Sequence, residues 1–186
     1  YRLSPLRFPL CIAEPVNWPA GLSVAYTDSI PLFAAFFRLL SPLLPGTFQY
    51  FGWFTLLCLF LQGGFGALLL GLFAKGKVLP LVGDLVFVFS PVLWERALRH
   101  TSLAAQFLLL GALYYYFRSG REGRFAYGEL FLLNVLTITI HPYFVPMTYA
   151  VTLAMVLRHS WRSRRPLRPL GWLACNLAAT VAAGWA

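Results

Sequence analysis

Long apolar runs are the feature that most constrains the fold of this chain. They cover residues 48–73, 78–93, 102–117, 127–140, 143–157 and 170–186. Because lipid offers the backbone no hydrogen-bond partners, such runs cross a membrane as helices of about 20 residues each. A mean hydropathy of +0.69 also fits a protein whose main solvent is lipid. The sequence therefore predicts an all-α fold, a polytopic bundle of five or six transmembrane helices.

The two ends of the chain indicate a fragment of a longer protein. The chain begins at Tyr1 without a start methionine and stops within an apolar run at Ala186, so we expect the last membrane segment to be truncated. Residues 1–47 are interrupted by charges and prolines and form the expected first loop. Residues 48–186 form the expected helix bundle.

Within the first loop, residues 29–44 are apolar but contain Pro31, Arg38 and Pro42. Proline inside a helix removes a backbone hydrogen bond, and a charged side chain at the centre of a bilayer is costly. A membrane span would tolerate this segment poorly. The pattern instead favours an amphipathic helix that lies in the membrane interface, with Arg38 reaching toward the headgroups.

The basic residues predict which side of the membrane each loop occupies. If residues 1–47 lie outside, alternation of the spans places ten Lys and Arg inside and five outside. The inside set is Lys75, Lys77, Arg118, Arg121, Arg124, Arg158, Arg162, Arg164, Arg165 and Arg168, and the outside set is Arg2, Arg7, Arg38, Arg96 and Arg99. Cytoplasmic loops carry the excess of basic residues, so this orientation is favoured. The basic clusters are short and scattered between apolar runs, so we expect no nucleic-acid partner.

Two carboxylates lie in the expected extracytoplasmic loop. Asp28 comes just before Pro31, where the interfacial helix would begin, and one interpretation is that it binds free amides at that helix start. The other is that a carboxylate held at the membrane surface acts as a general base or helps to hold a divalent cation. Glu14, fourteen residues earlier, is either a solvated loop acid or a partner of Asp28 in an acid–base or metal pair.

A second group of ionisable residues, Glu95, Arg96, Arg99 and His100, lies between two apolar runs on the expected outer side. Residues four apart share a helix face, so a helix end with a Glu95–Arg99 ion pair is one interpretation. The alternative is recognition of a phosphate by Arg96, Arg99 and His100, because arginine presents a planar set of several donors.

A third candidate is the turn at His141, Pro142 and Tyr143. The proline interrupts the helical hydrogen bonds at the expected outer boundary, and a simple turn with interfacial aromatics would share this pattern. A histidine at this depth needs water or a partner, however, which favours a functional role for His141 with Tyr143 beside it.

Two further features lie inside apolar runs. The glycine-rich residues 62–66 have no strand before them and no lysine after them, so close helix packing explains them better than a phosphate loop. Asp84 is a carboxylate within an expected span. It forms either a polar pair with another helix or part of a substrate or proton pathway.

Two strings carry a resemblance to a known group of proteins. They are YTDSIPLFAAFFRLLSPLLPGTFQYFGWFTLLCLFLQG, residues 26–63, and FSPVLWERALRHTSLAAQ, residues 89–106. They resemble a family of bacterial polytopic membrane proteins that is similar in plan to the GT-C glycosyltransferases. The resemblance implies a first extracytoplasmic loop with a catalytic carboxylate, a helix along the membrane surface and a lipid-phosphate-linked sugar donor. By this resemblance Asp28 takes the place of that carboxylate, and Glu14 is a looser match because the acidic residues of the family lie closer together.

These observations predict a transferase that uses a polyprenyl-phosphate sugar at the outer surface of a bacterial inner membrane. Asp28 would accept the proton of an acceptor hydroxyl, and Arg96, Arg99 or His100 would stabilise charge on the departing lipid phosphate. His141 and Tyr143 would line the cleft. The alternatives are a transporter or lipid-handling protein that uses Asp84 with the outer Arg/His cluster, and a non-catalytic assembly subunit.

Overall fold

The computed structural model describes residues 12–13, 18–19, 21–23, 27–163 and 167–185, and these are mostly helical. Two short strands, β1 (Ile12–Ala13) and β2 (Leu22–Ser23), pair antiparallel. The helices are α1 (Pro31–Leu39), α2 (Phe51–Gly71), α3 (Val78–Gly83), α4 (Leu85–Val88), α5 (Pro91–Arg99), α6 (Phe107–Glu122), α7 (Tyr127–Ile140), α8 (Phe144–Ser163) and α9 (Leu167–Trp185). Short 3-10 helices occupy Ser41–Leu43 and Thr101–Ala104.

A helix forms where residues 29–44 predict one, but it is shorter than that segment. It begins at Pro31, because proline suits the first helical position, where its missing N–H has no intrahelical role. It ends at Leu39, and Pro42 lies in the 3-10 helix that follows. Pro42 cannot donate to the carbonyl of Arg38, so the α-helix cannot continue past it.

One described helix, α2, is long and apolar enough to cross a membrane by length and composition. Its 21 residues have a mean hydropathy of 1.9 over the best window. The segments Val78–Val88 and Pro91–Arg99 meet the same criterion only when taken together across a 47° bend. Counting this bent pair as one span gives two candidate membrane spans among the described residues. The expected five or six spans are therefore not all evident. α6 and α7 have only 16 and 14 residues, and α8 and α9 carry arginines at one end.

Helix packing builds a single main apolar core. α2 lies against α3, α4 and α6, α6 lies against α7 and α8, and α7 and α8 both contact α9. Buried side chains at its centre include Ile30, Phe54, Leu93, Leu108 and Ile140. The segment before α1 therefore contributes to the same core as the long helices.

Contacts between aromatic rings show that α2 and α6 run in the same direction. The ring centroids of Phe65 and Phe107 are 6.5 Å apart. Those of Phe73, just past the end of α2, and Phe117, further along α6, are 5.2 Å apart. Gly123, in the left-handed conformation at φ 67°, then ends α6 and lets the chain reverse into α7. A second short connection reverses it again into α8.

These directions create two opposite ends. The Asp28 end, defined by Asp28, Thr101 and His141, holds the starts of α2, α6 and α8 and the end of α7. The basic end, defined by Arg124, Arg158 and Arg168, holds the ends of α2, α6 and α8 and the starts of α7 and α9.

The interpretation of residues 62–66 as a helix-packing motif is confirmed. A Cβ added to Gly66 would lie 2.9 Å from the ring of Phe87 and 3.2 Å from Cβ of Asp84. A Cβ on Gly64 would have no heavy atom within 4 Å. Gly66 therefore lets α3 and α4 approach α2, whereas Gly64 does not face them.

We expect Gly66→Leu to reduce the free energy of unfolding by about 1–3 kcal/mol, because the added side chain overfills the contact with Phe87 and Asp84. Thermal unfolding of the detergent-purified protein measures this change. Gly64→Leu is the matched control in the same helix and should unfold within about 0.5 kcal/mol of wild type. Equal losses in both variants would contradict a specific packing role for Gly66.

Candidate functional site

The carboxylate of Asp28 binds the start of the 3-10 helix Thr101–Ala104. Oδ2 accepts a hydrogen bond from the Thr101 amide at 2.8 Å. Oδ1 accepts one from the Ser102 amide at 3.1 Å and one from the Ser102 hydroxyl at 2.5 Å. The first amides of a helix have no intrahelical acceptors, and an anion suits this position. Asp28 thus joins the segment before α1 to the turn after α5.

Burial of Ile30 explains why Asp28 reaches this turn. Ile30 is fully buried in the main core, where Leu93 of α5 and Ala104 are also fully buried. Ile140 and Phe144, which flank the turn at His141, belong to the same cluster. Burying one apolar side chain therefore brings the segment at 28 close to both turns.

The prediction that Asp28 binds free amides at a helix start is confirmed, but the helix is Thr101–Ala104 and not α1. Ile30 precedes α1, and no side chain caps that helix. Asp28 instead caps a helix 73 residues further along the chain. Its three hydrogen bonds use three of about four lone-pair positions on a carboxylate, which leaves one on Oδ2.

His141 follows α7 directly and is half-buried. Its Nδ1 accepts a hydrogen bond from the Tyr143 amide at 3.2 Å, so the neutral ring carries its proton on Nε2. Burial lowers the pKa of His141, and the negative charge of Asp28 acts in the opposite direction by raising that pKa. Asp28 is thus close enough to His141 for its charge to change the pKa of the ring. Tyr143, two residues after His141, is 60% exposed.

The outer Arg/His cluster lies on α5, which leads into the Asp28 contact. Arg96 is half-buried, while Arg99 and His100 are exposed, and His100 immediately precedes Thr101. Within the described residues, neither the Glu95–Arg99 ion pair nor an ion pair between Asp28 and any member of the cluster is present. Asp28 binds the amide of Thr101, the residue directly after His100. Arg96 and Arg99 lie in the last turn of α5, which ends just before His100.

The remaining sequence candidates lie elsewhere. Glu14 is outside the described residues, so its pairing with Asp28 stays a prediction. Asp84 packs against Gly63 and Gly66 of α2, at the junction of α3 and α4. In the described part of the chain, no group of three or more His, Cys, Asp and Glu side chains is arranged to hold a metal ion.

Two sets of residues escaped the sequence interpretation. Among the described residues, Thr101 and Ser102 supply the donors to Asp28, and their only signal was their place directly after the Arg/His cluster. The second set is a buried polar network that links α7, α8 and α9. Asn134 donates to Thr152 at 3.2 Å and to Asn176 at 2.9 Å, and the Tyr149 hydroxyl donates to Asn176 at 2.6 Å. Polar side chains within apolar runs were the signal for this set, since such residues join helices in an apolar environment.

The fold and site together define a predominantly helical protein. Its described residues include one clear candidate membrane span, and Asp28 and His141 lie at the same end of its core. The chain belongs to the family described as Domain of unknown function (DUF6311), which matches residues 1–186. No curated protein and no solved structure matches the chain. None of these comparisons connects it with the GT-C glycosyltransferases.

We expect Asp28→Ala to lower the free energy of unfolding by about 2 kcal/mol, because the amides of Thr101 and Ser102 lose an anionic acceptor. Thermal unfolding gives the overall change, and hydrogen exchange of a peptide that contains residues 101–104 locates it. Glu122→Gln is the charge-matched control. It removes an exposed ion pair to Arg118 and should change stability by less than about 0.5 kcal/mol. Unchanged exchange at 101–104 would show that the Asp28 contact contributes nothing.

The lowered pKa of His141 makes stability depend on pH. The fold favours the neutral ring, so this contribution is complete above the ordinary pKa of 6.5 and is lost as pH falls from there toward the lowered value. We therefore expect the unfolding midpoint to fall less in His141→Gln than in wild type between about pH 7.5 and about pH 5.5. His100→Gln, which changes an exposed histidine at the same end, should retain the wild-type decrease. An identical decrease in His141→Gln would contradict the assignment.

Proposed function

We propose that the protein is a polytopic membrane transferase that moves a sugar from a polyprenyl-phosphate donor to an acceptor hydroxyl at the outer face of a bacterial inner membrane. The observation that carries this proposal is the convergence of Asp28 and His141 at one end of the helix core, beside the Arg96–His100 segment. A base and a group of phosphate-binding side chains are what such a transfer needs. The resemblance of residues 26–63 and 89–106 to GT-C-like proteins supplies the class of donor.

Exposed apolar side chains support the membrane part of the proposal. Phe60 on α2 is 77% exposed, and Val86 on α4 is 74% exposed. Large apolar side chains on α7, α8 and α9 are exposed as well, including Leu132, Leu157 and Val181. Water-soluble proteins rarely expose apolar surface over so many helices, whereas lipid would cover it.

The helix directions support the proposed orientation. Lys75 follows the end of α2, and Arg118 and Arg158 lie in the final turns of α6 and α8, so residues assigned to the inside meet at the basic end. Asp28 and His141 lie at the other end. The basic residues are thus separated from Asp28 and His141, as expected if the basic end faces the cytoplasm.

In this mechanism the Thr101 and Ser102 donors hold the Asp28 carboxylate in one orientation. The remaining lone pair of Oδ2 accepts the proton of the acceptor hydroxyl. At the same time the oxygen of that hydroxyl forms a bond to the anomeric carbon of the sugar. The bond from that carbon to the lipid phosphate breaks, and the leaving phosphate takes the electron pair. Nε2–H of His141, with Arg96, Arg99 and His100, stabilises the negative charge on that phosphate. Attack from the face opposite the leaving group inverts the anomeric centre.

We expect Asp28→Asn in the full-length protein to reduce sugar transfer by at least about 100-fold at normal expression, because the amide cannot accept the proton. Membrane vesicles supplied with labelled polyprenyl-phosphate sugars provide the assay. His141→Ala and Arg96→Ala should also reduce transfer, and Arg121→Ala at the basic end should not.

Ser102→Ala separates the chemical role of Asp28 from its structural one. It removes one donor to Oδ1 and leaves the carboxylate and both amide hydrogen bonds in place, so transfer should remain within about tenfold of wild type. Equal losses in Ser102→Ala and Asp28→Asn would assign the whole effect to the turn. Full transfer in Asp28→Asn would remove Asp28 from the mechanism, and loss of substrate passage in Asp84→Asn alone would instead support the transporter alternative.

A further inference from the structure

A cavity of about 380 Å³ lies at the basic end, opposite the proposed transferase site. It is formed where α6 ends, α7 begins, and the last turns of α8 meet the start of α9. Its volume falls within the range of small-molecule sites, about 300–1,000 Å³. A smaller cavity of about 190 Å³ adjoins it and shares Gly123 and His159.

The charged groups around the two cavities are mainly basic. Arg124 and Arg168 line the larger one beside the His159 ring, and among the described residues of its lining Glu129 is the one carboxylate. Arg158 and Arg162 line the smaller one. Within the described residues, the ion pair that does form at this end joins Arg118 to Glu122, so it leaves the cavity arginines without a carboxylate partner. An anion bound in the cavity would supply that partner.

The structure holds this basic wall in place. Arg158 donates to the carbonyl oxygen of Tyr116, and its guanidinium lies 4.0 Å from the centre of the Tyr116 ring. Gly120 makes the approach possible, because a Cβ there would lie 2.5 Å from Nη1 of Arg158. Arg158 is therefore a fixed structural cation, whereas no hydrogen bond within the described residues holds Arg124 or Arg168.

Aromatic rings form the apolar part of the larger cavity. The Phe125 ring meets His159 edge-on at 5.2 Å and Trp172 at 5.3 Å, and the Arg168 guanidinium is 5.6 Å from the Tyr127 ring. Arginine with tyrosine and tryptophan is the combination found where protein meets lipid headgroups. Nearby Trp161 is 91% exposed, which fits the same interface.

We propose that this cavity binds the headgroup of an anionic phospholipid of the cytoplasmic leaflet, with Arg124 and Arg168 on the phosphate. Basic pockets between helices on the cytoplasmic side favour phosphate headgroups, and anionic lipids give the cytoplasmic leaflet its negative surface. The carboxylate of Glu129 is an acceptor for the hydroxyls of a glycerol headgroup. The site rests on the membrane part of the proposed function and is independent of sugar transfer.

The experiment titrates short-chain phosphatidylglycerol into the full-length protein in neutral detergent and follows the rise in the thermal unfolding midpoint. Arg124→Gln with Arg168→Gln should weaken binding about 30-fold. The matched control, Lys75→Gln with Arg121→Gln, removes the same charge from exposed positions at the same end and should bind as wild type does.

A steric variant tests the cavity without changing its charge. A Cβ on Gly128, which lines the cavity, has no heavy atom within 4 Å, so Gly128→Leu fills the space without disturbing the packing. It should weaken phosphatidylglycerol binding by at least about tenfold. Gly171→Leu, at an equally open position outside the cavity, should not. Unfolding midpoints measured without lipid identify any variant that fails to fold.

Three results would overturn the proposal. Equal weakening in both double variants would show binding to general surface charge. Inorganic phosphate that stabilises the protein as much as phosphatidylglycerol does would point to a soluble anion, and equal stabilisation by phosphatidylcholine would exclude anion recognition. Extraction with alkaline carbonate, performed first, tests the membrane placement separately. None of these readouts depends on sugar transfer, so failure of the lipid site and failure of the transferase proposal are distinguishable.

Discussion

The contact between Asp28 and the turn at Thr101 and Ser102 determines the geometry of one whole end of the molecule. Three hydrogen bonds to one carboxylate join segments that are 73 residues apart. Hydrogen bonds to a charged group are roughly twice as strong as neutral ones, and they cap a helix start that would otherwise have unpaired amides. Burial of Ile30 two residues later adds an apolar anchor to the same place. The segment before α1 therefore packs against the starts of α2, α6 and α8.

The other end of the molecule is organised by cations instead. Arg158 is held by its contacts with Tyr116. Arg124 and Arg168 line a cavity together with Glu129 but form no ion pair with a carboxylate of the described residues. The two ends thus differ in chemistry as well as in charge. Between them, the Asn134 network joins α7, α8 and α9, so these helices are held together by internal hydrogen bonds as well as by apolar packing.

In the proposed mechanism Asp28 both binds the turn at Thr101 and Ser102 and accepts a proton. The two roles are compatible because they use different lone pairs, and the structural donors restrict the carboxylate to the orientation that the reaction needs. His141 gains from the same arrangement. Its Nδ1 accepts a hydrogen bond from the Tyr143 amide, so the neutral ring, which burial favours, has its Nε2–H left to meet a substrate.

Local rules made much of the fold predictable. Apolar runs gave the helices, Pro31 marked the start of α1, and the glycines at 62–66 indicated a packed face, because each signal depends only on neighbours along the chain. The number of spans was less predictable, since short helices and arginine-bearing ends blur the distinction between a membrane helix and a core helix.

The sequence predicted several residues of the candidate site, but neither all of them nor their arrangement. Sequence alone determined that Asp28, His100 and His141 belong near one face, from the alternation of apolar runs and the distribution of basic residues. Only the tertiary structure decided that Asp28 binds the amides at Thr101 and Ser102, and that Arg124 of the α6–α7 connection shares one cavity with Arg168 of α9. The physical reason is that these contacts join distant segments. Their geometry depends on how the helices pack, and no local pattern encodes it.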